Sequence, residues 1–237
     1  MPKTARKPAK KAAPEHKCEF CSSAFAREST LMSHVCEQRR RHLDRNEQNV
    51  KLGFWVYQRF YKRNYRNIRE RTFEDFRKSS VYLAFCKFGR YLLDINAVNV
   101  NAFIDFILDG GIPVDQWTNS VVYETYLREL NKKETPEAAL ERNFLLMQQW
   151  ADHNSAEWTD FFRQIAPPLA TLWIRTGRIS PWVLYTASSA AELFARMTDE
   201  QMSLVEAAIE PKFWMKKLEA EAAQVAIIRE ELDAAGL

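Results

Sequence analysis

Cys18, Cys21 and His34 are the residues of this chain best placed to do chemistry. They lie in the run Cys18-Glu-Phe-Cys21, followed by twelve residues and then His34. Two thiols separated by two residues can share one ion across a tight turn, and an imidazole extends a donor set that suits a transition metal. Phe25 and Leu31 fall between the cysteines and the histidine, where a small metal module needs its two core residues. A segment of about 20 residues cannot bury enough apolar surface to fold alone, so a captured ion has to supply the folding free energy.

Written out, the segment reads C-x2-C-x3-F-x5-L-x2-H. It resembles the Cys2His2 zinc finger, a ββα unit whose hairpin carries the cysteines and whose helix carries the histidines. The resemblance covers residues 16–36 and implies Zn2+ as the cofactor. It departs from the family at the fourth ligand, because Gln38, Arg39 and Arg40 stand where a second histidine belongs. Cys36 is two positions beyond His34, and residues two apart on an unbroken helix point to nearly opposite sides. Cys36 therefore reaches the ion only if the helix loosens around Val35. His42 lies about 12 Å further along a continuous helix and needs a kink. Cys36 is the preferred fourth ligand, since thiolate binds zinc strongly and one local unwinding is the simpler distortion. His42 is the second choice, and His16 or no fourth protein ligand completes the alternatives.

The resemblance also implies that Arg27, Thr30 and Ser33 occupy base-reading positions on the finger helix. Arg27 can make a bidentate contact to guanine. One finger reads only about three base pairs, so affinity has to come mostly from phosphate contacts elsewhere. The fourth-ligand departure alters the helix end that approaches a nucleic-acid backbone, and single fingers also serve as protein-binding knobs.

Charge points to where those contacts would arise. The net charge of +3 hides an asymmetry: residues 1–80 hold 20 Lys and Arg against 9 Asp and Glu, and residues 81–237 hold 14 against 22. A basic half suggests a polyanionic partner, which the finger resemblance implies is DNA ahead of RNA, and the acidic half suggests a protein partner or self-association. Mutual neutralisation of the halves is the alternative. Residues 1–15 read as a basic disordered arm of Lys, Ala and Pro. Arg39, Arg40 and Arg41 follow the finger, which is bounded at 16–42. Arg59, Lys62, Arg63, Arg66 and Arg69 crowd one face of a helix expected over 48–71, and Phe54, Tyr57, Tyr61, Tyr65 and Ile68 share another. The aromatic stripe reads as core packing ahead of a base-stacking platform. Repulsion within the basic stripe calls for an anion or an acidic neighbour to offset it.

The rest, bounded at 48–237, reads as an all-α body. Thr72 with Asp75 marks a capping box opening a helix that runs to about Asp94. Asn99 caps a shorter helix ended by Gly110-Gly111. Helices follow at about 119–131, 136–152, 155–165 and 168–177. Another opens at Ser180-Pro181, and then come 199–209, capped by Thr198 with Gln201, and 211–235. The fold class is mainly α, with a small ββα finger ahead of the helical body.

Several function classes find no support. With six glycines there is no phosphate-binding loop, and neither H-E-x-x-H nor G-x-S-x-G occurs. His153 reads as a capping or surface residue, and Cys86 as a buried core residue. A metal-dependent nuclease would need several converging carboxylates, so no catalytic residues and no enzymatic activity are expected. Four cysteines, three of them in or beside the finger, suit a reducing intracellular compartment. No apolar run is long enough to span a membrane. A lone finger joined to a helical body with Lys-rich flanks would suit a small viral or phage accessory protein.

Overall fold

The computed structural model describes residues 16–65 and 69–237. The expected basic arm at 1–15, together with Arg66 and Ile68 of the two stripes, lies outside the described residues. Among the described residues the chain is mainly α-helical with one small antiparallel hairpin near its start. It divides into two compact units, with the boundary between Tyr91 and Leu92.

The first unit opens with β1 (His16–Lys17) and β2 (Ala24–Phe25), paired so that His16 faces Phe25 and Lys17 faces Ala24. Helix α1 (Glu28–Met32) and helix α2 (Glu37–Leu43) follow. Helix α3 spans Gln48–Asn64, with Tyr65 as its C-cap, so the helix expected to reach residue 71 is shorter. It buries Val50, Gly53, Val56 and Tyr57, the inward side of an amphipathic helix. Tyr57 packs on Phe76 with ring centroids 5.0 Å apart, and Phe54 meets Phe73 edge-on at 5.6 Å.

Phe73 and Phe76 belong to α4 (Phe73–Lys78), opened by the Thr72/Asp75 capping box that the sequence predicts. The expected run to Asp94 is interrupted. Ser79 leaves helical geometry, and its hydroxyl donates to the Phe76 carbonyl at 2.8 Å, competing with the helix for that acceptor. Helix α5 (Tyr82–Asp94) then begins afresh. Its crossing with α3 depends on two glycines. A Cβ on Gly89 would lie 2.2 Å from the Asn49 carbonyl oxygen, and one on Gly53 would lie 2.8 Å from that of Phe85. The backbones meet where no side chain fits.

In the second unit, α6 (Val100–Asp109) is capped by the Asn99 side chain, which accepts from the Ala102 N–H, and it ends at Gly110-Gly111 as expected. Helix α7 (Ser120–Lys133) faces it with Tyr123 and Tyr126, whose rings sit about 5 Å from Phe103. Helix α8 (Pro136–Asn154) buries Ala139, Asn143, Met147, Trp150 and Ala151 at spacings of three and four. Ser155 then enters the left-handed region and stops it, so the helix expected over 155–165 shrinks to a turn and α9 (Phe161–Gln164). Helices α10 (Pro167–Arg175), α11 (Pro181–Thr186), α12 (Ala190–Ala195) and α13 (Asp199–Ile209) follow. The Thr198/Gln201 capping box is present, whereas α12 carries no sequence signal and was not expected. The long final helix is divided at Glu221 into α14 (Pro211–Ala220) and α15 (Ala222–Ala234).

This unit's core gathers Phe161, Phe162, Trp182, Leu193, Trp214, Ile228 and Leu232. It also contains a satisfied polar network. Arg142 forms two 2.9 Å bonds to the Glu134 carboxylate and donates to the Gly177 and Arg178 carbonyls. The Ser180 hydroxyl donates to Glu134, and buried Asn143 accepts from the Ser180 N–H. Such a network orders the start of α8 against the turn before α11.

The glycine crossing in the first unit makes a sharp prediction. Gly89→Ala should destabilise the protein by about 2 kcal/mol or more, because backbone must move to admit the methyl. Gly111→Ala, at a position with open space but positive φ, should cost about 1 kcal/mol. Chemical denaturation of the two variants checks the order.

Candidate metal centre

The hairpin delivers the first two ligands. Between β1 and β2 the chain turns so tightly that the Ser22 N–H donates to the Cys18 carbonyl at 2.8 Å, and the Cys18 N–H donates to the Ser23 carbonyl at 2.9 Å. Ser22 sits at φ +60, the left-handed conformation this turn requires. Cys18 and Cys21 thereby come to one side of the turn.

The other two ligands arrive through a break between helices. Helix α1 has only five residues and ends at Met32, with Ser33 as its C-cap. From His34 to Cys36 the chain is not helical, and Cys36 is the extended N-cap of α2. The distortion that Cys36 needs around Val35 is therefore present, and it is larger than a local loosening. Cys18, Cys21, His34 and Cys36 converge, with one donor atom from each lying within 4.8 Å of all the others. The Cys18 and Cys36 sulfurs are 3.6 Å apart, and the Cys21 sulfur is 3.3 Å from His34 Nε2. A tetrahedral ion with metal–sulfur bonds of about 2.3 Å separates its ligands by about 3.8 Å, so this spacing fits a four-coordinate site. Three thiols and an imidazole suit a soft or borderline metal ion rather than Mg2+ or Ca2+.

Local groups prepare the sulfurs. The Ser23 hydroxyl lies 3.1 Å from the Cys21 sulfur. Hydrogen bonds from the Ser23 side chain and backbone, and then from His34, favour the Cys21 thiolate and bring its pKa down to about 6. Cys36 shifts the other way, because burial raises its pKa against the Arg39 N–H that points at its sulfur from 3.3 Å. The Phe25 ring supports the His34 ring at 4.9 Å, as a core residue of the module should.

His42, the second choice for a fourth ligand, is outside the cluster. Its ring lies 5.3 Å from Phe20, and Nε2 is 3.4 Å from an Arg45 guanidinium nitrogen. His16 pairs in the hairpin and is also outside the cluster.

A pair of arginines clasps the module to the helices behind it. Arg77 on α4 is only 4% exposed. Its Nη1 donates to the Gln38 carbonyl at 3.0 Å and to the Phe20 carbonyl at 3.4 Å, while Glu74 holds the other side of the guanidinium. Phe20 lies between the two hairpin cysteines, and Gln38 lies just after Cys36. Arg41 reciprocates from α2, donating to the Arg77 carbonyl at 2.9 Å and stacking 4.5 Å over the Tyr82 ring. Arg77 was not singled out from the sequence. A single arginine inside a capped helix carries no spacing signal that could have found it.

The cations expected to meet phosphate are in varied surroundings. Arg27, Thr30 and Ser33 are exposed, but on a helix of one turn or so. Arg39 and Arg40 are exposed, and Arg40 pairs with Glu37 at 2.8 Å, a surface bridge of little worth to stability. Arg41 is engaged in the clasp. Arg59 lies 5.1 Å over the Trp55 ring, Lys62 and Arg63 are exposed on α3, and Arg69 pairs with Asp75 at 2.7 Å. By their spacing of three and four along α3, Arg59, Lys62 and Arg63 lie on one side of that helix.

No protein-family model, no curated protein and no solved structure matches this chain.

Two predictions follow from the geometry. Cys36→Ser should weaken metal binding by more than the roughly 10–100-fold typical of outer-shell changes, whereas His42→Ala should leave it unchanged. Titration with Co2+, read from the visible bands of a tetrahedral cobalt–thiolate centre, checks both. Arg77→Ala should leave two carbonyls without their donor and cost about 1–3 kcal/mol. Thermal unfolding with metal and with chelator checks this, and the loss should be larger in the metal-loaded protein.

Proposed function

We propose that the protein is a zinc-stabilised, non-enzymatic nucleic-acid-binding protein. The observation that carries the zinc part of this reading is the convergence of three cysteines and one histidine, with one donor atom of each within 4.8 Å of the others. Zn2+ is the ion whose preferences match that set and geometry. Four protein donors leave no open coordination position, so the ion's role here is to close the module's fold. Cys18, Cys21, His34 and Cys36 would hold it.

The nucleic-acid part of the reading rests on charge. The basic excess falls on the same part of the chain as the metal module. Arg27, Arg39, Arg40 and Lys62 present their charges outward, where they can neutralise phosphates and release counterions. DNA is preferred to RNA on the strength of the finger resemblance alone. The acidic helical half would then carry partner-binding or self-association contacts.

A second reading has its own support. Met32 and Val35, on either side of His34, are 79% and 94% exposed. Large apolar side chains held outward by a rigid metal module suit a protein-binding knob. The partner would be acidic, to match the cations around them.

Salt titration separates the two. The zinc-loaded chain should bind duplex or single-stranded oligonucleotides at low salt, with affinity falling steeply as salt rises. Deleting residues 1–71 should abolish that binding. Absence of any oligonucleotide binding at low salt would overturn the nucleic-acid reading in favour of the protein-binding knob. Native mass spectrometry with and without chelator gives the zinc stoichiometry independently.

A further inference from the structure

The aromatic stripe of α3 is not uniform. Tyr57 is buried among Phe76 and Phe85, so core packing accounts for it. Tyr61, one turn on, packs 4.6 Å from Tyr57 and is partly exposed. Tyr65, at the C-cap, is 49% exposed. Its ring stacks on Tyr61 with centroids 5.3 Å apart and planes 17° from parallel. The Arg71 guanidinium lies 4.6 Å over the Tyr61 ring. The stripe therefore emerges from the core as a supported aromatic step with a cation beside it. Core packing does not explain its outer end.

We infer that Tyr65 is a base-stacking position and that the nucleic acid this protein takes is single-stranded. The inference rests on the nucleic-acid reading above and specifies its ligand. Every base has a flat π face, and stacking on an aromatic side chain needs no particular sequence. The support from Tyr61 orders the Tyr65 ring in advance, so little side-chain freedom remains to be lost on binding. Lys62 lies one turn before Tyr65 on the same side of α3 and is exposed. Arg69 is also exposed, with Asp75 as its partner. These cations would follow a phosphate backbone while a base covers the ring. A duplex cannot supply the base, because its bases are already paired and stacked, and freeing one costs a few kcal/mol.

The test uses the zinc-loaded full chain and fluorescence anisotropy at low salt. The probes are oligothymidylate, oligouridylate and an abasic strand of about 15 nucleotides, with a duplex of equal length. The expected result is that the base-bearing single strands bind more tightly than the abasic strand and the duplex. Tyr65→Ala should weaken them by about 5- to 100-fold while leaving the abasic strand and the duplex unchanged. Tyr65→Trp should retain the affinity, and unchanged thermal unfolding of both variants should show that the fold is kept. A Tyr65 dependence with either base-bearing strand supports the inference. Equal binding of abasic and base-bearing strands, or no loss in Tyr65→Ala, would overturn stacking while leaving phosphate binding standing. No binding to any probe would overturn both.

Discussion

A helix cannot aim two residues that are two positions apart at one point, and this constraint shapes the front of the molecule. His34 and Cys36 both reach the donor cluster because α1 ends at Met32 and α2 begins only at Glu37. The price of that break is a helix of five residues, about 7.5 Å long. On a helix that short, Arg27 stands at the N-cap and Ser33 at the C-cap, with only Thr30 of the three inside it. The break also gives Cys36 a second task. It becomes the N-cap of α2, and the Arg39 N–H that the helix leaves unsatisfied points at its sulfur. One residue thus closes the donor set and starts the next helix.

The arginine clasp extends this constraint to the helices of the first unit. Arg77 is buried with two carbonyl acceptors, one between the hairpin cysteines and one just after Cys36. Those carbonyls stay in place only while the hairpin turn and the start of α2 keep their shapes. If no ion held the four donors together, the hairpin turn and the start of α2 would be less firmly fixed, and the two carbonyl acceptors of buried Arg77 with them. Arg77 would keep Glu74, but a buried guanidinium that lost two backbone acceptors would still forfeit part of its hydrogen bonding. Metal binding at this cluster would therefore stabilise α4 as well as the module, since α4 carries Arg77 and Arg41 reaches back to its end. The module is an integrated corner of the first unit rather than a pendant finger.

Much of this was legible in the sequence, for identifiable reasons. Cys18, Cys21 and His34 show in their spacing because a small metal site needs ligands at fixed intervals. The preference for Cys36 follows from donor chemistry, with the condition that the helix yields at Val35. The caps at Thr72, Asn99 and Thr198 are local hydrogen-bond patterns and need no tertiary information. The breaks at Ser79 and Glu221 lie inside strongly helical composition and leave no such trace. Ser79 acts through a side-chain bond that any serine could make. The α3–α5 crossing depends on which glycine meets which carbonyl, a pairing visible only once the helices are in place. Arg77 is of the same kind, because its role is defined by three segments brought together in space.

The same distinction bears on what net charge can say. Composition counts Arg41 and Arg77 with every other cation of the basic half, yet both donate to backbone carbonyls within the protein. A cation held in that way cannot also neutralise a phosphate without dismantling the clasp. The electrostatic footprint available to a polyanion is thus smaller than the formal excess; among the described residues it would include exposed Arg27, Arg39, Arg40, Lys62, Arg63 and Arg69. Such contacts would give little preference among sequences, because phosphate contacts position a nucleic acid without reading it. Aromatic stacking adds affinity without requiring more charge. With Arg41 and Arg77 committed to backbone carbonyls, stacking on Tyr65 would be a physically economical way to grip a flexible strand.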